Sequence, residues 1–238
     1  MISIGNRYSF INDQAHTWNL QIDDLQLSDA GEFTCQVNSG PHARKIVNLN
    51  VQGPPKFEKP LPEETMVTEG ESLTLTCSTS GSPQPFVTWY EYADQYEKRI
   101  VSHGPNLTFP HVTRYDASTF ECIAEHSFPP TINMMTDVKV QFAPEIQFLE
   151  ERLEVQKGSE TILKCDVTSY PQAAVMWIKE GKKLFNSLKY RVNVTEETGY
   201  TKRLTLTIKN MEESDFGSYV CEARNKVDKT QKTLEVFG

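Results

Sequence analysis

Five cysteines are the residues here whose chemistry can be read from position: Cys35, Cys77, Cys122, Cys165 and Cys221. None forms a Cys-x-x-Cys pair, so tetrahedral zinc and dithiol redox chemistry have no local frame. Their wide separations suit disulfides instead, and an odd number leaves one cysteine without a partner in the chain or bonded to another chain. The five histidines, His16, His42, His103, His111 and His126, are scattered. No His-x-His, Gly-x-Ser-x-Gly or phosphate-cradling glycine loop is present. Glu212-Glu213 reads as a solvated turn, since carboxylates are mostly exposed, and the Asp-rich loops that hold calcium are absent. The expectation is a protein with no catalytic residues, no cofactor and no metal. One further modification is legible. Asn106-Leu107-Thr108 and Asn193-Val194-Thr195 are N-glycosylation sequons. Alternation turns Leu107 and Phe109 inward beside Asn106, and Val192 and Val194 inward beside Asn193. Both asparagines are therefore expected to face out.

The elements that hold these residues follow from an internal repeat. Asp29-Ala30-Gly31-Glu32-Phe33-Thr34-Cys35, Asp116-Ala117-Ser118-Thr119-Phe120-Glu121-Cys122 and Asp215-Phe216-Gly217-Ser218-Tyr219-Val220-Cys221 share one frame. Each has Asp, an aromatic four residues on, and Cys two later. Cys77 lies twelve residues before Trp89, and Cys165 twelve before Trp177. Inward alternation groups Leu73, Leu75 and Cys77; Phe120, Cys122 and Ala124; Leu204, Leu206 and Ile208; and Tyr219, Cys221 and Ala223. This resembles the Cys…Trp…Cys pattern of immunoglobulin sandwiches, in which B- and F-strand cysteines meet across the core beneath a C-strand Trp.

The implied fold is all-β, tandem immunoglobulin-like (I-set) sandwiches with the first one truncated. The pattern implies bridges Cys77–Cys122 and Cys165–Cys221, with Trp89 and Trp177 in the cores. Tyr219 can tie the corner before strand F with its hydroxyl, whereas Phe33 and Phe120 cannot. The expected division is 1–52, the strand D–G half of one domain; 55–142, a second domain; and 144–238, a third. In the first segment, residues 7–13 read as strand D, 17–23 as E, 31–38 as F and 43–52 as G. Trp18 shares parity with Leu20 and Ile22 and belongs to strand E. Strands A, B and C are expected upstream of Met1, which makes Cys35 the unpaired cysteine. Short proline-bearing boundaries, Gly53-Pro54-Pro55 and Phe142-Ala143-Pro144-Glu145, separate the segments.

The net charge is −8 over 238 residues, with a sequence pI near 5.2, so a basic footprint for nucleic acid is absent. Mean hydropathy is −0.49, and no apolar run is long enough to cross a membrane. Attachment to a membrane is therefore expected only through sequence beyond Gly238.

More specific resemblances run along the chain. Thr17-Trp18-Asn19-Leu20-Gln21-Ile22, Ser28-Asp29-Ala30-Gly31 and Cys35-Gln36-Val37-Asn38 resemble the first domain of lachesin and the insect DIP proteins. Val51-Gln52-Gly53-Pro54-Pro55 resembles that family's first linker. Phe128-Pro129-Pro130 and the run from Val140 to Ile146 resemble the end of its second domain. Tyr170-Pro171, Trp177, Glu197-Thr198-Gly199-Tyr200 and the Asp215–Tyr219 run resemble its third. The vertebrate IgLON proteins share the three-domain layout. The resemblance implies an extracellular protein at the plasma membrane of neurons, held there as such relatives often are by a lipid anchor. It also implies homophilic or heterophilic binding of immunoglobulin-superfamily partners through the first domain. Alternation puts Thr34, Gln36 and Asn38 outward on strand F. Val47, Leu49 and Val51 fit the core of strand G, which leaves Ile46, Asn48 and Asn50 outside. Thr34, Gln36, Asn38, Ile46 and Asn48 are the candidate partner-binding residues. Two other classes fit the fold: a growth-factor or signalling receptor ectodomain, and an intracellular muscle-type array. Paired cysteines and outward sequons argue against the second of these.

Overall fold

The computed structural model describes residues 7–11, 17–37, 44–92 and 97–238. Its regular structure is strands and short 3-10 turns. The chain begins with two antiparallel ribbons: β1 (Tyr8–Ile11) with β2 (Asn19–Ile22), and β3 (Gly31–Gln36) with β4 (Arg44–Leu49). Then follow β5 (Gly53–Phe57), β6 (Glu64–Thr68), β7 (Leu73–Thr76), β8 (Thr79–Ser82), β9 (Phe86–Tyr92), β10 (Lys98–His103), β11 (Asn106–Phe109) and β12 (Ser118–Glu125). After them come the long β13 (Ile132–Gln147), then β14 (Arg152–Glu154), β15 (Thr161–Tyr170), β16 (Ala174–Lys179), β17 (Lys182–Lys183) and β18 (Tyr190–Glu196). The last three strands are β19 (Thr201–Ile208), β20 (Gly217–Arg224) and β21 (Lys229–Phe237).

The described residues fall into two compact units. One takes in Met1–Leu61, Leu75–Leu107 and Phe120–Met135; the other takes in Pro62–Thr74, Thr108–Thr119 and Thr136–Gly238. In the first unit, β9 is flanked by β10 and β12, β5 pairs with β8, and the Cys77–Cys122 disulfide spans 6.4 Å between Cα atoms. In the second unit, β6 runs parallel to β13. The sheets β15-β19-β18 and β14-β21-β20-β16-β17 carry the Cys165–Cys221 disulfide and a shared core. That core contains Trp177, Leu204, Leu206, Ile208 and Tyr219, all fully buried. These sheets are antiparallel apart from the β14–β21 pair. Each disulfide closes a long loop, of 45 and 56 residues in sequence separation. Closure on that scale removes about 4 kcal/mol of unfolded-state entropy.

The repeated Asp has a local cause. Each precedes an F-position strand at the end of a one-turn 3-10 helix. Its carboxylate accepts the backbone N–H three residues earlier: Gln26 to Asp29 at 2.8 Å, Thr113 to Asp116 at 2.7 Å, and Glu212 to Asp215 at 2.8 Å. Gly217 follows at φ +112°, a conformation that a side chain makes costly. Tyr219 then donates its hydroxyl to the Asp215 carbonyl at 2.7 Å, inside the core.

Both proline-bearing boundary segments lie within strands. Pro54 and Pro55 sit in β5, and Pro144 sits in β13. The physical accommodation is a break in pairing register, between Gly53 and Lys56 in one strand and between Phe142 and Glu145 in the other. A residue with no N–H fits a strand where the ladder is interrupted. Val194 departs from the inward position expected of it and is 45% exposed. It belongs to β18, the outer strand of its sheet, in which Tyr190 and Val192 pack on the core.

The corner bond yields a stability expectation. Tyr219→Phe removes a buried hydrogen bond and leaves the Asp215 carbonyl without this donor. It should destabilise the 144–238 sandwich by about 1 kcal/mol, read as a lower denaturant midpoint with an unchanged slope.

Candidate recognition face and open cleft

The register of β3 and β4 sets the candidate recognition residues side by side. Thr34 lies opposite Ile46, Glu32 opposite Asn48, and Gln36 opposite Arg44. Directly opposed residues share a face of an antiparallel pair, so Thr34, Gln36, Ile46 and Asn48 occupy one face, all exposed. Asn38 lies outside the described residues, as do His16 and His42. The face is mixed in chemistry: an aliphatic side chain 43% exposed, two amides, a hydroxyl and one charge of each sign.

The reverse face carries Phe33 opposite Val47 and Cys35 opposite Lys45. With Phe10, Trp18, Leu20 and Ile22 from the other ribbon, Phe33, Cys35 and Val47 line an open cleft of about 830 Å³. Trp18 is 64% exposed and Val47 51%, and Cys35 is an exposed free thiol. Alternation assigns these residues to a core, and the cleft is where that core would lie. Val51, further along the chain, is buried. Cys122 and Cys221, at the equivalent repeat position, are fully buried in disulfides.

The first segment is anchored by a charged cluster not anticipated from sequence. Arg7 grips Asp29 with both terminal nitrogens at 2.8 Å, and the Tyr8 hydroxyl donates to Asp29 at 2.7 Å. The Arg7 guanidinium, the Gln26 amide and Tyr8 hold the Asp29 carboxyl far below the usual carboxylate range. Lys189 and Tyr190 repeat the arrangement around Asp215, at 2.6 and 3.3 Å. Burial alone would raise the Asp215 pKa, and Lys189 with the Glu212 amide outweighs it, leaving the carboxyl below its ordinary value. The signal was present as a basic residue and a tyrosine opening each D-position strand, Arg7-Tyr8 and Lys189-Tyr190.

A second polar cluster surrounds Glu121, buried although its neighbours in β12 alternate inward. Tyr92 donates to it at 2.8 Å, Lys98 at 3.0 Å and Asn133 at 2.6 Å. Burial pushes this carboxyl up, and those donors bring it below its usual value. Every partner is supplied, so the cluster is a satisfied network covering the outer face of β12.

The sequons are placed differently in their strands. Asn106 is exposed at the start of β11 beside buried Leu107, and Asn193 is exposed in the middle of β18. Trp89 and Trp177 are fully buried. Among the described residues, no group of three or more His, Cys, Asp or Glu side chains is placed to hold a metal ion, and no helix is long and apolar enough to cross a membrane.

Comparison with known proteins fits this architecture. Residues 144–237 match the immunoglobulin I-set domain family, and residues 54–126 match an immunoglobulin domain family. Protein amalgam of Drosophila melanogaster is 30% identical over 227 residues, covering 92% of this chain and 67% of its own length. The chain belongs to the immunoglobulin superfamily, among adhesion proteins of the amalgam and lachesin type. Lachesin of the same fly is 27% identical, with 98% of this chain and 66% of lachesin covered. Neuronal growth regulator 1 of Gallus gallus is 30% identical, with 98% and 64% covered. The chain thus spans about two thirds of the length of these relatives. Among solved structures, a complex of Dpr2 Ig1–Ig2 with DIP-Theta Ig1–Ig3 aligns with a TM-score of 0.74 and 27% identity. That match covers 99% of this chain and 82% of the matched one. Titin domains I67–I69 align at 0.69 with 23% identity, a likeness of fold.

Isolated two-stranded ribbons are marginal in water. Hydrogen exchange on residues 1–238 should therefore find the amides of Asn19–Ile22 and Phe33–Gln36 far less protected than those of Leu204–Ile208. Equal protection in a reduced monomer would mean that the first segment is stable by itself.

Proposed function

We propose that this protein is a cell-surface adhesion and recognition protein that binds immunoglobulin-superfamily partners through the outward face of β3 and β4. The observation that carries this reading is the register of those strands. It gathers Thr34, Gln36, Ile46 and Asn48 on one exposed face with an aliphatic centre and polar neighbours. A small apolar centre with a polar rim is the usual anatomy of a protein interface. The amalgam and lachesin relatives, and the likeness to a chain in a Dpr2–DIP-Theta complex, support an immunoglobulin-superfamily partner.

On this reading the protein acts outside the cell at the plasma membrane of neurons. The division into 1–52, 55–142 and 144–238 assigns recognition to the first segment. Asn106 and Asn193 carry glycans, and both are exposed on strands where a sugar meets solvent. Protein secreted from eukaryotic cells should shift in gel mobility after glycosidase treatment, and Asn106→Gln with Asn193→Gln should abolish the shift.

The binding test starts from a panel of immunoglobulin-superfamily ectodomains displayed on beads. Once a partner is captured, Ile46→Asp should weaken it by roughly tenfold or more, the scale of losing an interface anchor. Ile162→Asp, at an exposed position of β15, should leave capture unchanged. Equal capture by the Ile46→Asp and unmodified chains would remove this face from consideration.

A further inference from the structure

A dense set of contacts surrounds the register break in β13, and all of its members belong to the second compact unit. At its centre is Arg114, in the 3-10 turn before β12. Its Nε donates to Glu69 Oε1 at 3.0 Å and one terminal nitrogen to Glu69 Oε2 at 2.8 Å. The Arg114 backbone N–H also reaches Glu69, at 2.9 Å. The remaining terminal nitrogen donates to Glu145 at 3.0 Å. The guanidinium carbon lies 4.2 Å from the centroid of the Phe142 ring, a close cation–π contact.

Phe142 is 2% exposed and meets Tyr200 edge-on, with centroids 5.9 Å apart at 82°. Tyr200 in turn lies 5.2 Å from the Tyr170 ring. From the turn after β20, the Asn225 amide donates to the Phe142 carbonyl at 2.8 Å and to the Pro171 carbonyl at 3.1 Å. Glu69 and Arg114 lie before the break at Ala143-Pro144. Glu145, Tyr170, Tyr200 and Asn225 lie after it. The planar fork of one arginine is thus spent on carboxylates from both sides while its flat face covers the ring between them, a use that lysine cannot match.

We propose that Arg114, acting through Phe142, is a lock that makes the strands Glu64–Thr68 and Val138–Gln141 turn as one rigid body with the 144–238 sandwich. Proline alone restricts the joint locally. The lock adds directional contacts on both sides, so bending requires breaking paired hydrogen bonds and uncovering an aromatic ring together. Arg114 is here a positioning residue for the joint.

Residual dipolar couplings measured on the full 1–238 chain test the lock. In the unmodified protein, amides of Glu64–Thr68 and Val138–Gln141 should fit the same alignment tensor as those of Thr161–Tyr170 and Thr201–Ile208. Arg114→Ala should split this into two tensors, with native amide shifts retained in both sets of strands. Tyr200→Ser breaks the chain of contacts from the other side of the joint and should split the tensor as well. It decides alone if Arg114→Ala unfolds the 62–74 strands. Two tensors in the unmodified chain, or one tensor preserved in Tyr200→Ser, would overturn the proposal.

Discussion

A sheet that buries one face needs a second face opposite it, and in this chain a cysteine bridge between facing strands holds the two together. Where the bridge forms, alternation along the strands becomes burial. Phe120, Cys122 and Ala124 are buried beside Cys77, and Leu204, Tyr219, Cys221 and Ala223 beside Cys165. Among the described residues of the first segment the same alternation is present, and Cys35 is a free thiol. Phe33 is half-buried, and Val47 and Trp18 stand open to solvent along the cleft. Sequence pattern selects which side chains face inward, and only an opposing layer makes that direction worth the transfer free energy of burial.

The Asp at the turn before each F-position strand is the second recurring device. It caps a single 3-10 turn in all three repeats and, in the first and third, recruits what the neighbouring strand supplies. Arg7 and Tyr8 serve Asp29, and Lys189 and Tyr190 serve Asp215, whereas Asp116 takes the hydroxyl of Thr113 from its own turn at 2.7 Å. The turn geometry is common to the repeats, and the partner is local to each.

What could be read from the sequence follows the same division. The repeat and the parity of residues such as Leu204, Leu206 and Ile208 depend on neighbours along the strand, so the fold was legible. The pairing of Thr34 with Ile46 was legible as a shared outward direction, and its exact register required the ribbon itself. The Glu121 network and the Arg114 joint join residues far apart in the chain, which no local pattern encodes. Val194 is exposed although alternation directs it inward, because alternation along a strand does not reveal that β18 is an outer strand.

The face of β3 and β4 therefore bears the functional claim, separately from the cores that follow it. Hydroxyl-radical footprinting of the protein with and without its captured partner tests that claim most directly. The account predicts protection concentrated at Thr34, Gln36, Ile46 and Asn48, with β15 and β19 unchanged. Protection confined to the 144–238 sandwich, with these four residues as reactive as in the free chain, would contradict it.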